Sequence, residues 1–93
     1  PIVFDYHHHR FCDGNLNEKE ALELAISTWS NIRPVVHYSE SRSVEQNDNS
    51  IKPQAHSDYV YDKINTYGNV LDIMIEAKFK ELAVIEYLKK HTN

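Results

Sequence analysis

The chain has one cysteine, no excess of positive charge, no signal-peptide pattern, and no apolar run near the roughly 20 residues that span a bilayer. Each absence excludes something. With Cys12 alone, no disulfide can close within the chain, so a reducing, cytoplasmic setting is expected, with the thiol as a small packed side chain or bystander. A formal net charge of -4 argues against a module that grips nucleic acid through its overall charge. A local basic groove, or DNA contacts made by chain outside this sequence, stays open. The 41% hydrophobic and 26% charged residues that are present suit a soluble, folded chain with no membrane partner. Ninety-three residues make one small domain or part of a larger one, and because the first residue is Pro1, a fragment is expected.

Apolar runs and helical periodicity alternate three times. Ile2 to Phe4 reads as a short buried strand, followed by a polar loop. A helix then begins at Asn17, an N-cap with Glu20 at its third position, and carries Ala21, Leu22, Ala25, Ile26 and Trp29 at helical spacing. After Arg33-Pro34, Val35 and Val36 start a second strand that ends at His37. Glu40 to about Gln54 is rich in Ser, Asn and Asp and predicts a long mobile loop. Tyr59, Val60, Lys63, Ile64 and Tyr67 predict a modest helix, N-capped by Asp58 or Ser57 and stopped at Gly68-Asn69. Val70 to Ile75 is a third strand ending at Glu76, and AKFKELAVIEYLKKH is an amphipathic helix whose Lys89, Lys90 and His91 suit its C-terminal end. Units of about 30 residues have the size of βα units. Their alternation predicts an α/β fold with parallel strands covered by helices.

An acid/base or metal-ligand residue follows each strand directly: Asp5 with His8, then His37, then Glu76. The carboxyl ends of parallel strands share one edge, so these side chains are expected to converge. Imidazole with carboxylates suits divalent manganese, zinc or iron. Taken singly, each residue has an ordinary explanation: a solvated loop histidine for His8, a capping or core histidine for His37, a salt-bridge partner for Glu76. Their recurrence at equivalent places favours a metal site. His7 to His9 could be read as a purification tag, but they sit between a strand-like run and a helix-like segment and are taken as part of the fold. His56 reaches the same edge only if the chain folds back, which the pattern alone does not require. For Tyr6, Tyr38 and Tyr59, packing at strand ends is the plainer reading.

FDYHHH, the HYS segment after a proline, HSDYV and DIMIEAKFKELA occur in the order and spacing seen in the C-terminal part of UV damage endonucleases, the UvsE/UVDE type, which nearly the whole chain resembles. The resemblance implies part of a TIM (β/α)8 barrel similar to endonuclease IV. It also implies a cluster of manganese-type ions, and nicking of UV-damaged double-stranded DNA on the 5′ side of photoproducts. Asp5, His8, His37, His56 and Glu76 match the family's metal ligands, and Glu76, with two oxygens, is the expected bridging and catalytic carboxylate. Val35 stands where the family often has a lysine, which should alter how one ion is held. A complete barrel takes about 250 residues, so these three units are expected to be inactive alone, with their open sheet edges paired with another copy or shielded by loop. Two other readings remain: a metal-dependent sugar isomerase of similar architecture, and a non-catalytic truncated fragment.

Overall fold

The computed structural model describes residues 1–91 and divides into two compact units. The first comprises Pro1–Tyr38 and Asn65–Met74; the second comprises Ser39–Ile64 and the chain from residue 75 onward. Three parallel strands form an open sheet in the order β1-β2-β3: β1 is Phe4–Asp5, β2 is Val35–Tyr38 and β3 is Asp72–Ile75. The α/β alternation is therefore present. The first strand is shorter than expected, since Ile2 and Val3 lie outside it.

In the first unit, helix α1 (Tyr6–Phe11) occupies the stretch predicted to be a polar loop. Asp5 is the reason: its extended backbone and its side-chain oxygen, which accepts from the amides of His7 and His8, make it an N-cap. Helix α2 (Glu18–Ile26) starts as expected, with a full capping box in which the Asn17 side chain accepts from Glu20 N and Glu20 accepts from Asn17 N. It buries Leu22 and Ala25, and the chain continues into a 3-10 turn, Ser27–Trp29. The Trp29 indole donates to Ile2 O at 2.7 Å, and Ile2 N donates to Thr28 Oγ1 at 2.6 Å. Phe4, Tyr6, Leu22, Val36 and Tyr38 form the core, with edge-to-face ring pairs Phe4–Tyr6 and Tyr6–Tyr38 at 4.9 and 5.4 Å.

Two expectations fail in the second unit. The predicted mobile loop contains helix α3 (Arg42–Gln46), closed by Asn47 in the left-handed region, and its far end pairs back in an isolated antiparallel bridge between Ser41 and His56. The helix predicted around Tyr59 to Tyr67 does not form, and Ser57 and Asp58 cap nothing there. The amides of Asp58 and Tyr59 donate to Glu45, those of Tyr61 and Asp62 to Glu40, and that of Ile64 to the Tyr87 hydroxyl. A helix capped at Asp58 would turn Asp62 N to Asp58 O and Ile64 N to Val60 O, but Glu40 and the Tyr87 hydroxyl take those donors, and aromatic and β-branched residues are weak helix formers. The last helix, α4 (Glu81–His91), starts later than its apolar pattern suggests, since Phe79 precedes it; its final turn carries Lys89, Lys90 and His91 as expected.

Candidate metal centre

The register of the sheet puts Asp5 beside His37. β1 and β2 pair with Phe4 opposite Val36 and Asp5 opposite His37, and in-register residues of parallel strands project from the same face. On β2 the alternation buries Val36 and Tyr38 and leaves His37 half-buried at the strand's carboxyl end. Asp5 serves the local fold as well: Oδ1 accepts from the amides of His7 and His8, both at 3.0 Å, which leaves Oδ2 outside the cap. Val35, two residues before His37, lies on the same face and offers no ligand atom.

β3 joins this arrangement through backbone: Asp72 N donates to Pro34 O at 2.9 Å, and the strand ends at Ile75, one residue before the half-buried Glu76. Asp5, His37 and Glu76 each offer one ligand atom, and these atoms lie within 4.8 Å of one another. Bonds from a divalent ion to imidazole nitrogen or carboxylate oxygen are about 2.0–2.2 Å, so ligands on opposite sides of one ion stand roughly 4 Å apart. Two carboxylates and one imidazole at this spacing fit a divalent cation of the manganese, iron or zinc type.

His8 and His56 are not in that group. His8 is exposed on α1, where it lines an apolar hollow of about 270 Å³ together with Phe4, Cys12, Leu16 and Leu24. His56 is exposed on the strand-like piece that pairs with Ser41. The cysteine is exposed rather than packed.

Residues with no role in the sequence reading fix the second unit. Glu40, only 9% exposed, accepts from two amides, and Glu45 accepts from Asp58 N at 2.8 Å, Tyr59 N at 3.1 Å and the Tyr61 hydroxyl. Partial burial pushes the Glu45 carboxyl up, but the hydrogen bonds from Asp58, Tyr61, Gln46 and Tyr59 outweigh it and hold the group below its ordinary value. The Tyr61 hydroxyl is pushed up to about 12 by desolvation, by its hydrogen bond to Glu45, and by the charges of Glu45, Asp58 and Glu40. Acidic residues inside a Ser- and Asn-rich stretch were the sole signal for these contacts, and that composition also describes a solvated loop.

The sequence pattern of the family described as UV-endonuclease UvdE matches residues 1–93. The chain belongs to that family. Among its UvdE relatives, the UV DNA damage endonuclease of Bacillus cereus (strain 03BB102) is 38% identical over 97% of this chain and 30% of its own length. That of Bacillus mycoides is 36% identical over 95% of this chain and 29% of its own length. The UV-damage endonuclease of Schizosaccharomyces pombe is 36% identical over 98% of this chain and 16% of its own length. The chain thus spans less than a third of the UvdE relatives it matches. No solved structure matches it. Among the described residues, no helix is long and apolar enough to cross a membrane.

Proposed function

We propose that the longer protein containing this chain is a metal-dependent endonuclease that hydrolyses a phosphodiester 5′ to ultraviolet photoproducts in double-stranded DNA, working in the cytoplasm. The observation that carries this reading is the meeting of Asp5, His37 and Glu76 at strand ends, in a chain of the UvdE family. The family match favours it over a sugar isomerase.

In this reading Asp5, His8, His37, His56 and Glu76 hold divalent ions, with manganese the expected occupant. Held by these residues, a divalent ion would supply acidification of a bound water and compensation of the charge that develops on the phosphate. The chain's own residues hold the geometry. The sheet register sets Asp5 against His37, the α1 cap fixes the Asp5 carboxylate, and Glu76 would be the bridging and catalytic carboxylate. Val35 in place of a lysine alters how one ion is held. The strands belong to a TIM barrel completed by the rest of the protein, and the free edges of β1 and β3 pair with its other strands. When the chain stands alone it is inactive and those edges pair with a second copy, so light scattering should find a dimer or larger.

Glu76→Gln in the full-length protein tests the assignment. Manganese occupancy and nicking of irradiated duplex should fall together, by at least about 100-fold in rate. Normal activity in that variant would remove Glu76 from the site.

A further inference from the structure

In the second unit, the piece of chain carrying His56 has backbone partners on both sides. On one side Arg42 N donates to Ala55 O at 2.9 Å and Ser57 N to Glu40 O at 2.8 Å, around the Ser41–His56 bridge. On the other, Lys78 N donates to Ser57 O at 2.8 Å and Phe79 N to Asp58 O at 3.1 Å. His56 and Glu76 therefore lie on neighbouring backbones, one and two residues from the hydrogen bond that joins Ser57 to Lys78. Ser57 is fully buried, and its hydroxyl donates to Tyr59 O.

One carboxylate holds this junction from behind. Glu45 on α3 accepts from the amides of Asp58 and Tyr59, from the Tyr61 hydroxyl, and from Gln46 Nε2 at 2.8 Å. Arg42, three residues earlier on the same helix, pairs with the Asp58 carboxylate. Hydrogen bonds to a charged acceptor are stronger than neutral ones, and several converging on one carboxylate fix the donors relative to each other. Residues that orient ligands from outside the coordination sphere set metal affinity almost as strongly as the ligands do.

We propose that Glu45, assisted by Arg42, is a positioning residue for the cation site. By fixing the Ser57–Lys78 junction it sets His56 and Glu76 relative to each other. The inference rests on the metal-site reading above and adds a residue to it.

The test uses the full-length protein. In the metal-free state, amide hydrogen exchange of Asp58, Tyr59, Lys78 and Phe79 should quicken about tenfold in Glu45→Gln, while α2 amides keep their rates and report that the fold persists. Manganese titration should then show affinity lowered by about 10-fold or more. His56→Ala, which weakens binding in the parent, should add little in the Glu45→Gln background, because the histidine is no longer held. Arg42→Gln should move each quantity the same way by less, and it serves if Glu45→Gln does not fold. Unchanged exchange in Glu45→Gln overturns the proposal alone, as does faster exchange with unchanged manganese affinity and an unchanged His56→Ala effect. A parent protein that takes up no manganese overturns the cation reading, and this proposal with it.

Discussion

The first unit buries Phe4, Tyr6, Leu22, Val36 and Tyr38 around a short parallel sheet, whereas the second buries Val60, Ile64 and Ala83 alongside Ser39, Glu40 and Ser57. Apolar side chains removed from water hold the first by an area effect that is insensitive to direction and to pH. In the second, few apolar groups are available, and backbone donors are gathered by Glu40 and Glu45. Such contacts are directional, and they depend on the ionisation of the groups that make them. The unit with the ordinary core carries Asp5 and His37, and the unit fastened by carboxylates carries His56 and Glu76.

That contrast breaks most readily in the apolar core. Leu22→Ala removes a fully buried side chain from α2 and should cost about 2–5 kcal/mol, read as a lower denaturant midpoint. A cost near zero would show that the first unit does not depend on its core.

Titration sharpens the contrast. Glu45 has a lowered carboxyl pKa when folded, so its contribution to stability is present above the unfolded value and is lost as pH falls through the lowered one. Tyr61 has the opposite sign: raised from 10.0 to about 12, it contributes below the unfolded value and loses that contribution as pH rises through the folded one. Protection of the amides of residues 58–62, taken relative to their intrinsic exchange rates at each pH, should fall toward both limits while that of α2 is kept. A difference absorbance titration against Tyr61→Phe should find this phenol ionising near 12, and Glu45→Gln should bring it back toward 10.0. A Tyr61 that titrates like a free tyrosine would remove the link to Glu45.

The smallest expected effect is at Asp5, where folding and cation binding separate. Asp5→Asn keeps an oxygen to cap α1 and should leave stability nearly unchanged, while Asp5→Ala should cost about 1 kcal/mol. Both should weaken manganese binding. Equal stability of the two variants would mean that the cap contributes nothing.

The elements legible in the sequence were those whose cause is local. The Asn17 capping box, the Val35-Val36 strand and the basic last turn of α4 are written in residues a few positions apart. Asp5, His37 and Glu76 could be picked out because each directly follows an apolar run, and parallel strands bring their ends to one edge. Helix α1 was hidden because its signal, a capping aspartate, is the same residue that reads as a metal ligand. The missing helix at Tyr59 to Tyr67 was hidden for a different reason. Its periodic apolar residues are real, but two donors it would need, Asp62 N and Ile64 N, are taken by Glu40 and the Tyr87 hydroxyl, which stand 22 and 23 positions away.

The order of residues alone determined the alternation of strand and helix and the chemistry available at each strand end, because hydrophobic period and residue type are properties of short stretches. Which backbone amides the carboxylates capture, and which ligand atoms come within reach of each other, was decided only in three dimensions. Hydrogen bonds and coordination fall off within an ångström or two, and distance along the chain says nothing about separations on that scale.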